Sequence, residues 1–163
     1  MIAGEDIRSL ASNVSDRLRA LGIRCAFAES LTGGMIASSM VDIPGASDVF
    51  EGAIVSYTNE MKMNVLKVPG DIIENYTEVS VQCAQAMAEG VHHLTSADIC
   101  VAVTGYAGGN KKDPKDGYVC IGYFFDKKKG AFDRQFEGNR REVRLQTTKA
   151  ALELILELID NHG

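Results

Sequence analysis

The stretch Cys25-Ala26-Phe27-Ala28-Glu29-Ser30-Leu31-Thr32-Gly33-Gly34-Met35 decides how the rest of the chain is read. An apolar run ends in a serine, the chain turns through paired glycines, and residues 35–40 then have the character of a helix. Glycines let the backbone come close to a ligand, and a helix start offers unpaired N–H groups to an anion or oxyanion. Ser30 is therefore a candidate nucleophile. The same local chemistry also fits a helix cap made by Ser30 or Thr32, and both readings stand at this point.

Outward from this turn, helix and strand signals alternate to both ends. Upstream, Ile7, Leu10, Ala11, Val14, Leu18 and Leu21 recur at helical spacing, and Gly22 supplies a stop. Downstream, residues 42–47 form a turn cluster, and residues 49–57 are β-rich with Gly52 at a bulge or close approach. Asn59 is predicted to cap a short helix over 60–66, Val68-Pro69-Gly70 breaks it, and a second short helix covers 71–76. Ser80 caps a longer helix whose apolar face carries Ala84, Met87, Ala88 and Val91.

Residues 99–104 form a second strand that ends in a hydroxyl and a glycine, Thr104-Gly105. After a charged loop over 106–117, strands over 118–125 and 131–136 form an antiparallel hairpin joined by a turn at 126–130. The last helix spans 141–161, with Val143, Thr147, Ala150, Ala151, Leu154, Ile155 and Leu158 as its buried stripe. The pattern predicts one domain over 1–163: an α/β fold, a three-layer α/β/α sandwich with a mixed, mostly parallel five-stranded sheet and one antiparallel strand. In such sheets ligands bind beyond the carboxyl ends of strands, where Ser30 and Thr104 both fall.

Composition narrows the function. Hydrophobic residues make up 45% and charged ones 24%, ordinary for a soluble domain, and the net charge of −5 argues against general nucleic-acid binding. The lysines at 111, 112 and 115 and at 127–129 read as solvated loops. No apolar run approaches the roughly 18 residues that a bilayer span needs. The acidic start Met1-Ile2-Ala3-Gly4-Glu5-Asp6 is unlike a secretory signal. Cys25, Cys83, Cys100 and Cys120 lack metal or redox spacing and read as buried free thiols of a cytoplasmic protein.

A serine nucleophile needs a base, and the histidines are badly placed. His162 lies in the C-terminal fringe, and His92 and His93 end a helix. A lysine can serve if its pKa is pulled down. Capped by Asn59, Lys62 would occupy the third position of its helix, where the dipole and burial both disfavour its charge and Glu60 opposes them. A solvated first-turn lysine is the competing reading. Tyr57 ends the preceding strand and could sit beside Lys62. The spacing is one longer than the Tyr-x-x-x-Lys pair of short-chain dehydrogenases, and no GxGxxG turn precedes it. No metal-ligand set is apparent. Arg140 and Arg141 follow Gly138-Asn139 at a helix start, a place suited to a phosphate or to plain solvation.

Taken together, separated segments resemble the CinA C-terminal domain family, whose stand-alone forms are nicotinamide mononucleotide deamidases. The matching elements are Ala28-Glu29-Ser30 with Thr32-Gly33-Gly34, Asp42-Ile43-Pro44-Gly45 with Ser47, Phe50 and Gly52, and Val55, Tyr57, Asn59-Glu60 and Lys62. Val79-Ser80, Met87-Ala88-Glu89-Gly90, Gly105 with Ala107-Gly108, and Gly138 with Arg140 complete the set. No part corresponds to the additional N-terminal domain of full-length CinA proteins.

The resemblance implies a serine amidohydrolase with neither metal nor cofactor. Ser30 would be the nucleophile, Lys62 the general base and Tyr57 a proton relay or orienter. Backbone N–H groups at Leu31, Thr32, Gly33 and Gly34 would hold the oxyanion. Thr104, Gly105 and Arg140 would contact the phosphate, with Asn59 also among the substrate-binding residues. The expected partner is a small mononucleotide, not nucleic acid or a membrane, and the chain is expected to form a homo-oligomer. The loop over 107–117 departs from the family pattern, being shorter and more charged, and borders the ligand in this reading. The alternatives are a non-catalytic nucleotide- or phosphate-binding module and an amidase for another phosphorylated amide.

Overall fold

The computed structural model describes residues 4–109 and 113–162, the side chain of Glu5 apart. The first three residues of the N-terminal reading, and Lys111 and Lys112 of the charged loop, lie outside the described residues. The chain runs α1 (Gly4–Leu21), β1 (Cys25–Glu29), α2 (Met35–Val41), β2 (Phe50–Val55), α3 (Asn59–Asn64), α4 (Gly70–Tyr76) and α5 (Val81–Thr95). Then come β3 (Ile99–Gly105), β4 (Tyr118–Phe125), β5 (Lys128–Gln135) and α6 (Arg140–Asp160).

The strands lie in the order β2-β1-β3-β4-β5. β1 pairs in parallel with β2 and β3, whereas β4 is antiparallel to both β3 and β5. β4 alone therefore opposes the common direction, as the sequence pattern predicts. Alternation along β1 and β3 sorts side chains between two cores. Cys25, Phe27, Ile99, Val101 and Val103 pack with α1, α2 and α6, and Ala26, Ala28, Cys100 and Ala102 pack with α5 and residues 66–73. All four cysteines are buried and free.

Three local expectations change. Cys25 pairs with Phe50 but Ala26 with Gly52, so Glu51 is the extra residue of a bulge, and nothing crowds Gly52. The hairpin turn shrinks to Asp126 and Lys127, at φ 52° and 65°. Two left-handed residues make the type I′ turn that fits strand twist, with neither asparagine nor glycine to advertise it. The cap of α3 is Thr58, whose hydroxyl accepts the Met61 N–H at 3.2 Å, so Asn59 is the first helical residue and Lys62 the fourth.

Register fixes the site. Glu29 stands opposite both Val55 and Val103, so the residues that follow, Ser30, Ser56 and Thr104, emerge together at the carboxyl edge of the three parallel strands. Among the described residues, no helix is long and apolar enough to cross a membrane.

Candidate active site

Ser30 is neither exposed nor a cap. It is 6% exposed, and the start of α2 is satisfied by Glu29 instead. The fully buried Glu29 carboxylate accepts the Thr32 hydroxyl at 2.6 Å and the N–H groups of Gly34, Ile36 and Ala37 at 3.2, 3.0 and 2.9 Å. An anion at a helix N-terminus is favoured by the dipole, and here the chain supplies its own. Gly33 and Gly34 turn the chain at φ 59° and 99°, a conformation that side chains rarely adopt. Arg144 of α6 braces the far side of the turn, donating from Nε to the Leu31 carbonyl at 2.9 Å and from a terminal nitrogen to the Thr32 carbonyl at 3.0 Å.

This arrangement divides the predicted oxyanion donors. The Gly33 N–H is used on the Ser30 carbonyl at 3.1 Å and that of Gly34 on Glu29, so these two glycines build the turn. The N–H groups of Leu31 and Thr32 take no hydrogen-bond partner among the described residues.

Lys62 is the side chain that gives Ser30 chemical meaning. It is 1% exposed, which removes the solvated-lysine reading. Its Nζ lies 3.1 Å from Ser30 Oγ, 2.9 Å from the Ser56 carbonyl oxygen and 3.3 Å from that of Tyr57. A carbonyl can only accept, so both N–H bonds of a neutral amine are directed at these two oxygens. An ammonium would donate its third N–H to Ser30 Oγ, whereas a neutral amine would leave its lone pair for the Ser30 hydroxyl, the one neighbour able to donate. Burial lowers the Lys62 pKa, opposed electrostatically by Cys83 and Glu78. Glu78 thus takes the part expected of Glu60, which is exposed.

Ser30 opens onto a cavity of about 450 Å³. Leu31, Tyr57, Thr104, Gly105 and Arg140 line it as well, so most of the predicted site converges there. Arg140 spans its mouth, donating to the Gly108 carbonyl at 3.0 Å and to the Tyr57 hydroxyl at 3.1 Å. Tyr57 therefore orients Lys62 through its main-chain carbonyl, and its phenol faces Arg140. Thr104 lines the wall, but its hydroxyl is engaged with the Glu78 carbonyl at 2.7 Å. Thr32, Gly33, Gly34 and Asn59 are not on this wall. The two glycines face a separate hollow beside Arg141 and Arg144, and Asn59 is exposed on α3.

The charged loop borders the cavity as expected, through Tyr106, Ala107, Gly108, Asp113 and Asp116. Sequence reasoning missed Glu29 as the internal anion, Arg144 as the brace and Glu78 on the wall. Arg144 carried one signal, standing four residues after Arg140 on the same face of α6. Glu78 carried none, because only the folded turn brings it to the cavity wall.

Comparison with known proteins bears on the family and the fold. The family model described as "CinA C-terminal domain" matches residues 7–159. The chain is 42% identical over 140 residues to a CinA-like protein of Thermotoga neapolitana, covering 85% of this chain and 34% of that protein. It spans little more than a third of the length of the curated relatives it matches. It also resembles the crystal structure of the competence/damage inducible protein CihA of Agrobacterium tumefaciens, with TM-score 0.89 and 33% identity over 97% of this chain and 98% of that one. A CinA superfamily protein of Klebsiella pneumoniae superposes with TM-score 0.90 at 29% identity, covering 94% of this chain and 98% of that one.

Proposed function

We propose that this chain, which belongs to the CinA C-terminal domain family, is a serine amidohydrolase that converts nicotinamide mononucleotide to nicotinic acid mononucleotide and ammonia. One observation carries the reading: a buried lysine amine 3.1 Å from a serine hydroxyl at the wall of a ligand-sized cavity. Lys62 accepts the Ser30 proton as Oγ attacks the carboxamide carbon. The free N–H group of Leu31, which lines the same cavity, takes the oxyanion. As the intermediate collapses, the C–N bond breaks and the Lys62 ammonium returns the proton to the departing nitrogen, releasing ammonia and leaving an ester on Ser30. Water then attacks that ester, giving a proton to Lys62, and the C–O bond to Ser30 breaks with reprotonation of its oxygen. Arg140, at the cavity mouth, is the cation available for the phosphate.

The purified protein incubated with nicotinamide mononucleotide is expected to release ammonia and nicotinic acid mononucleotide in equal amounts, read by a coupled ammonia assay and chromatography. No ammonia would remove the hydrolase reading. The base must be neutral, so kcat/KM is expected to rise with pH through the Lys62 pKa, which burial places below the ordinary lysine value of 10.5. A profile flat from about pH 5 to 10 would take that role from Lys62.

A further inference from the structure

Amide hydrolysis builds negative charge on oxygen, yet the cavity walls carry carboxylates. Among the described residues they are Glu78, Asp113 and Asp116, against the single guanidinium of Arg140. Asp113 accepts the Lys115 N–H at 2.9 Å, and Asp116 packs over Gly108. The Glu78 carboxylate accepts no hydrogen bond and joins no close ion pair among the described residues, and acts on Lys62 only through its charge.

The main chain of Glu78, by contrast, is held from several sides. Thr104 donates to its carbonyl at 2.7 Å, the Thr77 hydroxyl donates to the Val79 carbonyl at 3.3 Å, and Ser80 donates to the Thr77 carbonyl at 2.9 Å. Thr77 itself sits at φ 72° and ψ 168°, a region nearly reserved for glycine and costly for a β-branched residue. A braced, strained turn thus presents a carboxylate with no hydrogen-bond donor among the described residues to the same cavity as Ser30.

A carboxylate near a developing oxyanion raises the barrier unless the ligand brings a compensating positive charge. We propose that Glu78 selects the substrate by charge: its carboxylate faces the positively charged ring of a pyridinium carboxamide, so that cationic-ring amides are preferred to neutral ones of the same shape. This rests on the amidohydrolase reading above and adds to it the part of the substrate that the wall recognises. Glu78 is here a specificity residue, and Arg140 takes the anionic end.

Nicotinamide mononucleotide and its reduced, dihydropyridine form share ribose, phosphate and carboxamide but differ in ring charge. Their affinities for Ser30→Ala protein, measured by calorimetry, report selection without turnover. The Ser30→Ala protein is expected to bind the oxidised form at least about tenfold more tightly than the reduced one. Adding Glu78→Gln is expected to bring the two affinities within about twofold, and Glu78→Asp in its place to keep the preference. Equal affinities in Ser30→Ala, or a preference that survives Glu78→Gln, overturn the proposal, and binding of neither form overturns it with the mononucleotide reading. Ammonia release by the wild-type protein reports on hydrolysis separately. Wild type that releases ammonia beside a double variant that keeps its preference refutes the role of Glu78 alone.

Discussion

Lys62→Met is expected to lower kcat/KM for nicotinamide mononucleotide about 10³-fold, the middle of the range for a general base. Methionine keeps much of the aliphatic volume in a site that is 1% exposed but cannot accept the Ser30 proton. A loss smaller than about tenfold would separate Lys62 from the reaction. The same variant makes a second, opposite prediction about stability. Burial lowers the folded-state pKa of Lys62 below its unfolded value, so the unfolded chain binds the proton more readily. Wild-type stability is therefore lost progressively as pH falls below about 10.5 toward the folded pKa, and methionine carries no such loss. Methionine leaves the Ser56 and Tyr57 carbonyls without their donor, which sets a constant offset. The stability difference between variant and wild type should nonetheless move in favour of the variant between pH 10 and 7 in urea unfolding. An unchanged difference would mean that Lys62 is solvated.

Glu29→Ala is expected to cost about 3 to 5 kcal/mol, lowering the melting temperature by about 10 °C. The substitution strands three N–H groups at the start of α2 and the Thr32 hydroxyl, and leaves a void where a fully buried side chain stood. Glu29→Gln keeps the volume but turns one acceptor into a donor facing those N–H groups, and should lose about half as much. Because Glu29 precedes Ser30 and fixes the turn after it, both variants should lose activity beyond their loss of stability. A Glu29→Ala protein within about 1 kcal/mol of wild type would mean that the carboxylate does not hold this turn.

Most of the architecture was legible because each element announces itself locally. The i, i+3, i+4 spacing from Ile7 to Leu21, the cap at Ser80 and the apolar runs before Ser30 and Thr104 are properties of short windows. Errors fell where two residues compete for one role. Thr58 and Asn59 are adjacent and both able to cap, and the backbone uses the first although asparagine is the stronger capping residue. Asp126 and Lys127 adopt left-handed conformations that their side chains do not signal.

Legibility of the site follows the same division. Ser30 and Lys62 were legible as candidates for a nucleophile and a base, each beside a plainer reading as cap or solvated lysine, and the fold sets them 3.1 Å apart. Glu29 was hidden because a buried carboxylate and a solvated one are the same letter until the helix it caps is in place. The glycines at 33 and 34 looked like ligand cradles, but one N–H serves the turn and the other Glu29. Glu78 reaches the cavity only through the strained turn at Thr77, which no sequence spacing foretells.

Whether Ser30 is the nucleophile is decided by ammonia release from Ser30→Ala protein measured beside wild type. Release from the variant is expected to be indistinguishable from the enzyme-free background, while the protein remains folded and still binds the mononucleotide. Release equal to that of wild type would contradict that role.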